Sequence, residues 1–303
     1  MATVFEAQAL TKCYRRRTVL DNLHLSIPQG SVYGLVGENG AGKTTLIRLM
    51  AGLDFPTSGD FSLFEKAENQ VEQRRRMGFL IESPALYPDM TARQNLELVR
   101  IQRGIPEKNQ VDELLERLFL QDTGRQRVKN FSLGMRQRLG IAVALLNEPE
   151  FLVLDEPING LDPTGILEIR RLLQELNQQK GTTILISSHI LPELESLATR
   201  YGFLHHGRLV QDISAGELGE RCCQYLLLRV SDPERAAALL ESELHTAKFA
   251  VYPDRSLHIY DLMGRTMEIS ACLAHHQIPV QELTTKGDDL ETYFQRLIGG
   301  GAE

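Results

Sequence analysis

Residues 37–45 read G-E-N-G-A-G-K-T-T. Gly37, Gly42, Lys43 and Thr44 meet every fixed position of the phosphate-cradling pattern G-x-x-x-x-G-K-[ST]. The apolar run before it, 31–36, predicts a buried strand, and residues 46–53 after it predict a helix. Phosphate chemistry needs this arrangement. Gly37, Gly40 and Gly42 let the backbone pass close to phosphate oxygens, with the N–H groups of the loop, through Glu38, Asn39 and Ala41, turned inward. The start of the following helix, at Thr44 and Thr45, adds a partial positive charge facing the anion. Lys43 reaches the β- and γ-phosphates, and the Thr44 hydroxyl can hold Mg²⁺.

Further along, Phe151-Leu152-Val153-Leu154-Asp155-Glu156 is an apolar run ending in two acids. A buried strand of this kind delivers its carboxylates to the C-terminal edge of a parallel sheet, where ligands bind. Asp155 is placed to hold Mg²⁺. Glu156 is placed to polarise a water as a general base.

The chain has 303 residues, enough for one large domain and a smaller one, and 42% hydrophobic content permits a substantial core. A net charge of −7 argues against a nucleic-acid partner. The arginine runs 15–17 and 74–76 read as solvated faces. Cys13, Cys222, Cys223 and Cys272 lack metal-ligand spacing. Adjacent Cys222 and Cys223 are poorly placed to bridge each other, so a reducing cytoplasm is the simplest compartment. The pairs His205-His206 and His275-His276 read as solvated surface, because adjacent histidines are expected to project apart. Residues 1–9 carry an acid and no apolar core, so they do not read as a secretory signal. No apolar run approaches the ~20 residues that span a bilayer. If the chain works at a membrane, another polypeptide supplies the spanning part.

Residues 4–10 and 19–27 read as strands around a polar turn. Residues 91–120 read as helical, with Leu96, Val99, Leu114, Leu115 and Leu118 as core positions. A helix is predicted over 139–146, extending to Pro149, with further helices over 166–176 and 191–197 and strands over 151–154 and 182–187. Strands alternating with helices predict a largely parallel α/β sheet. Near Ala215 the character changes. Strands over 224–230, 249–252, 256–260 and 278–283 alternate with helices over 233–240 and 265–274, and a last helix spans 288–297, capped by Asp288 or Asp289. The order β-α-β-β-α-β matches a ferredoxin-like unit. The expected domains are therefore 1–215 and 216–303.

Three more stretches complete a set. Residues 131–140 read F-S-L-G-M-R-Q-R-L-G, residues 157–162 read P-I-N-G-L-D, and residues 187–189 read S-S-H after a strand. In this order, with the two elements above, residues 1 to about 215 resemble the ATP-binding-cassette (ABC) ATPases. That resemblance implies an α/β P-loop cassette with a mostly parallel core, an antiparallel β subdomain and a helical subdomain, binding ATP and Mg²⁺. It implies that Ser132, Leu133, Gly134 and Met135 stand for the signature motif, usually S-G-G-Q. Ser132 and Gly134, which are expected to touch the γ-phosphate, are retained; Leu133 and Met135 are departures. The family places this motif against the phosphate loop of a partner subunit, so a homodimer or a dimer with a paralogue is implied. Residues 159–162, ending in Asp162, look like the D-loop across that seam. His189 looks like the switch histidine on the γ-phosphate, and Tyr14 like the aromatic that stacks on adenine.

Glu82 stands where most of the family carries Gln, in a loop that touches Mg²⁺ and the attacking water and relays nucleotide state to the membrane subunit. Glu82 and the S-L-G-M signature together resemble the branch of bacterial exporter ATPases that protect against peptide antibiotics of bacitracin and lantibiotic type. Exporters of other cargo share these traits, and a soluble ABC ATPase acting on ribosomes or nucleic acid stays open as an alternative. The resemblance implies a separate transmembrane permease as partner, no nucleic acid, and a peripheral place at the cytoplasmic face of the inner membrane.

Overall fold

Alternating side chains decide the first two strands. In β1 (Thr3–Tyr14) and β2 (Arg17–Pro28), Phe5, Ala7, Leu10, Leu20, Leu23, Leu25 and Ile27 are buried while the residues between most of them face out. This is a computed structural model that describes residues 2–68, 70–188, 191–222, 225–287 and 290–299. The hairpin closes at the pair Tyr14–Arg17. β3 (Val32–Val36) is buried at every residue, as a central strand covered on both faces must be. It leads into α1 (Lys43–Ala51), which ends on Gly52 in the left-handed conformation. Then come β4 (Ser58–Leu63), α2 (Gln70–Arg74) and β5 (Met77–Leu80). Next are α3 (Ala92–Arg103), α4 (Asn109–Arg117) and α5 (Leu133–Leu145). Thr91 and Gln94 form a reciprocal capping box on α3. The chain continues through β6 (Phe151–Asp155), α6 (Pro163–Lys180), β7 (Thr183–Ser188), α7 (Leu191–Glu195), β8 (Arg200–His205) and β9 (Arg208–Ser214).

The long sheet runs β5-β6-β7-β3-β8-β9, parallel from β5 to β8 and closed by antiparallel β9. A separate antiparallel sheet runs β2-β1-β4. One buried cluster joins the two. It takes Phe5 and Leu10 from β1, Leu20 and Ile27 from β2, Leu46, Ile47 and Met50 from α1, and Phe151 and Val153 from β6. Each such side chain contributes about 1.5–3 kcal/mol by leaving water. The mostly parallel core, antiparallel β layer and helical segment that the family resemblance implies are all present.

By its internal contacts the chain divides into two compact units, Met1–Ala215 and Gly216–Glu303. After α8 (Ala215–Arg221), the second unit holds β10 (Tyr225–Val230), α9 (Pro233–Ser242), β11 (Phe249–Val251), β12 (Ser256–Ile259), α10 (Thr266–His275), β13 (Val280–Lys286) and α11 (Leu290–Gly299). Its sheet order is β11-β12-β10-β13, antiparallel at every pairing. Leu226, Leu228, Leu257 and Ile259 pack with Ala236, Leu240, Ile269 and Leu273 of α9 and α10. This is the ferredoxin-like arrangement. The expected capping residues Asp288 and Asp289 lie outside the described residues.

Several local expectations need correction. The helix read over 91–120 is interrupted. Gly104, at φ 68°, caps α3, and α4 starts only at Asn109. Val99 is half-buried, whereas the Arg100 beside it is buried. Its guanidinium binds the Glu97 carboxylate at 2.8 Å and the Ile105 carbonyl. The helix read over 139–146 begins earlier, at Leu133, and stops before Pro149. The arginine run 74–76 is a solvated face only at Arg75. Arg74 Nε donates to the Met50 carbonyl at 2.7 Å. Arg76 grips Glu150 through two bonds of 2.7 and 2.6 Å and lies 3.7 Å from the Phe64 ring centroid. Among the described residues no helix is long and apolar enough to cross a membrane.

Candidate functional site

The loop 37–42 leaves the C-terminal end of β3 and enters α1 under two constraints. Gly42 has φ 113°, a region L-residues avoid, and a Cβ there would meet Leu20 Cδ2 at 2.8 Å and the Val19 carbonyl at 2.9 Å. The loop is also tied to the hairpin between β8 and β9, because Gly207 N–H donates to the Ala41 carbonyl at 3.0 Å. The Lys43 ammonium is buried and bends back to the carbonyls of Gly37 and, at 3.2 Å, Glu38. Burial pushes its pKa down, while the Glu156 and Asp155 carboxylates pull the other way.

At the end of β6, Asp155 is 2% exposed. Its Oδ2 accepts the Thr44 hydroxyl at 2.8 Å and its Oδ1 accepts the Ser187 hydroxyl of β7. A hydroxyl and a carboxylate thus converge beside the phosphate loop. Hard oxygen donors of this kind, completed by substrate phosphates, fit Mg²⁺. Glu156 follows at φ 51°, an unusual backbone for a glutamate. Its amide donates to the Ser187 carbonyl at 3.1 Å, and its carbonyl accepts Gln137 Nε2 of α5 at 3.0 Å.

These elements enclose a cleft of about 580 Å³. Of the residues named from sequence, Glu38, Asn39, Gly40, Gly42, Lys43, Thr44, Thr45, Glu82, Asp155 and Glu156 line it together. Glu82, at φ 53° and exposed, faces Arg48 at 3.6 Å. Ser132, Gly134 and Asp162 do not line the cleft of their own chain. Ser132 caps α5, accepting the Met135 amide at 3.2 Å, and Asp162 caps α6, accepting the Gly165 amide at 3.1 Å. His189 lies outside the described residues. Leu133 of the signature stretch and Asn159 of the D-loop stretch also line the cleft, as do Arg17 and Gln137, to which the sequence assigned no role at the site. Arg17 belongs to a run read as a solvated face, and only the hairpin register opposite Tyr14 turns it toward the phosphate loop.

Tyr14 is 42% exposed, with its hydroxyl donating to Asp54 and Lys12 Nζ lying 4.8 Å from its ring centroid. Lys12 Nζ also bonds Asp54 and, at 2.7 Å, the Phe55 carbonyl. The Lys12 ammonium, then the Tyr14 hydroxyl, bring the Asp54 carboxyl down from 3.8 to about 2. The stability from this depressed pKa is present above the unfolded value and is lost as pH falls through the folded one. Discounted for solvent screening of this surface carboxylate, wild-type protein is therefore expected to lose about 1 kcal/mol between pH ~5 and pH ~2 that Asp54→Asn does not lose. Urea denaturation across that range measures it, and parallel curves would contradict the assignment.

The histidine pairs do not project apart: the rings of His205 and His206 are 4.1 Å apart, and those of His275 and His276 are 5.0 Å apart. His276 Nε2 is 2.5 Å from Glu243. Among the described residues no group of three or more His, Cys, Asp or Glu could hold a metal.

Comparison with known proteins matches this geometry. Residues 20–159 fit the family model described as ABC transporter. The chain is 42% identical over 303 residues, 99% of each chain, to the bacitracin transport ATP-binding protein BcrA of Bacillus licheniformis. It is 44% identical over 207 residues, 68% of this chain and 89% of the relative, to the lantibiotic transport ATP-binding protein SrtF of Streptococcus pyogenes. A dimeric ATP-binding cassette in a post-hydrolysis state, bound to ADP and Pi, superposes with a TM-score of 0.64 at 25% identity, covering 70% of this chain and 98% of that one. The chain belongs to the ATP-binding proteins of the ABC transporter family. It binds ATP and is an ATPase.

Proposed function

We propose that the chain is the ATP-hydrolysing subunit of a bacterial exporter that carries peptide antibiotics of bacitracin or lantibiotic type out through a separate membrane permease. The observation that carries the cargo is full-length identity of 42% to a bacitracin transport ATP-binding protein. The observation that carries the chemistry is the 2.8 Å bond between Thr44 and Asp155 beside Lys43, with Glu156 next in the chain.

The phosphate-loop amides from Gly37 to Thr45 and the N-terminus of α1 hold the β- and γ-phosphates, and Lys43 turns its ammonium from the loop carbonyls to the phosphate oxygens. Tyr14 stacks on the adenine. Thr44, Asp155 and Glu82 would hold Mg²⁺, which when bound would neutralise phosphate charge. Glu156 takes the proton of the attacking water. His189, outside the described residues, is assigned the contact with the γ-phosphate on the family resemblance alone. Ser132 and Gly134 of one copy, with Asp162 at the seam, close on the ATP of the other. Their exclusion from the cleft of their own chain supports this reading. Closure is favoured because ATP makes these contacts only in the closed dimer.

The Glu82 loop and the helical segment 91–120 grip the permease at the cytoplasmic face of the inner membrane. Glu82→Ala is expected to leave ATP affinity near wild type and to lower turnover less than loss of Glu156 does. Complete loss of ATP binding would contradict its placement as a coupling residue. The cargo is tested by deleting the gene and measuring growth inhibition by bacitracin and by a lantibiotic. Raised sensitivity restored by wild type but not by Glu156→Gln is expected; unchanged sensitivity to both would remove this cargo.

A further inference from the structure

Leu133 replaces the usual glycine of the signature, and its position in the fold gives it a use. It is 54% exposed and lines the cleft that holds Lys43 and Glu156, although it starts α5. Its side chain lies over Gly160, in the loop that follows Glu156. A Cβ on Gly160 would stand 2.5 Å from Leu133 Cγ and closer still to Cδ2, whereas Leu133 Cβ would be 3.2 Å away. Gly134 completes the fit: a Cβ there would press on the Gly160 carbonyl at 3.1 Å and on Leu161 at 3.3 Å. One turn on, buried Gln137 donates to the Glu156 carbonyl at 3.0 Å. The first turns of α5 therefore hold the loop 156–161 at both ends, by a hydrogen bond at Glu156 and by interlocking shape at Gly160. The loop is closed on itself as well, through Asn159 N–H to the Glu156 carbonyl at 3.3 Å and Leu161 N–H to the Ile158 carbonyl at 3.2 Å.

We propose that Leu133 and Gly160 are a matched pair of positioning residues: the signature leucine sits in the notch left by the missing side chain of Gly160 and sets where the loop holds the Glu156 carboxylate. This rests on the assignment of Glu156 to hydrolysis made above. It makes the glycine at 160 a requirement of the leucine at 133, beyond what its φ of 77° demands.

The test is a double-mutant cycle in the full chain, reading kcat by phosphate release, ATP Kd by titration, and the melting temperature. Gly160→Ala is expected to lower kcat about tenfold with ATP Kd within about twofold of wild type, the split a displaced reacting group produces. Leu133→Ala removes Cγ and Cδ2 and leaves room for the added methyl. The double variant is therefore expected to recover kcat to within about threefold of Leu133→Ala alone. A double variant no faster than Gly160→Ala would overturn the pairing, because the loss would then come from left-handed backbone alone; so would wild-type kcat in Gly160→Ala. If Gly160→Ala fails to fold, a double variant that folds supports the pairing and one that also fails overturns it. Failure of the underlying reading has a different signature, a Glu156→Gln variant that turns over normally.

Discussion

Glu156→Gln is expected to lower kcat by roughly 10²- to 10⁴-fold, the range a positioned general base supplies, while ATP stays bound. Glutamine keeps the shape of the side chain but cannot accept the water's proton. It also removes a negative charge beside the γ-phosphate, so affinity does not fall. With ATP bound and uncleaved, the contacts that favour the closed dimer persist, and a stable ATP-dependent dimer should appear in size-exclusion chromatography. Hydrolysis at the wild-type rate would show that the proton goes elsewhere.

Lys43→Ala acts one step earlier. It removes the ammonium that sits among the Gly37 and Glu38 carbonyls and is placed for the phosphates. Truncating one partner of a desolvated, hydrogen-bonded charge pair costs about 2–4 kcal/mol, so ATP Kd is expected to rise on the order of 30- to 1000-fold and turnover to vanish. A titration with a fluorescent ATP analogue measures it. Lys43→Arg should not rescue, since a planar guanidinium does not replace a compact ammonium in a loop this tight. Affinity within a factor of about three of wild type in Lys43→Ala would mean that the backbone amides alone hold the phosphates.

The phosphate loop was legible because its chemistry is local. Gly42 is fixed by a backbone conformation and by the approach of Val19 and Leu20, so the spacing of glycines, lysine and threonine carries the geometry with it. Asp155 was legible for a related reason: an apolar strand ending in an acid leaves little choice about which sheet edge receives the carboxylate. The tail's order of strands and helices could be read from the alternation of its patterns, which is what matched it to a ferredoxin-like unit.

What escaped depends on residues far apart in sequence. Arg17 and Arg76 stand in arginine runs that look alike, yet one turns toward the nucleotide cleft and the other grips Glu150, 74 positions away. Leu133 read as a departure from a motif, because nothing in the sequence places it over Gly160. The end of α3 is different, since Gly104 followed by Pro106 is a stop signal that the helical pattern over 91–120 concealed. Ser132 and Asp162 show a third situation: each caps a helix in its own chain, and that local role hides any contact made across a dimer seam.

The most direct measurement is affinity purification of the tagged chain from its native membranes in mild detergent, followed by mass spectrometry. The account predicts a polytopic membrane protein in stoichiometric amount, with ATPase activity in the complex that Glu156→Gln abolishes. Recovery of the chain without any membrane protein, or together with ribosomes or DNA, would leave the nucleotide chemistry intact and contradict the transport function.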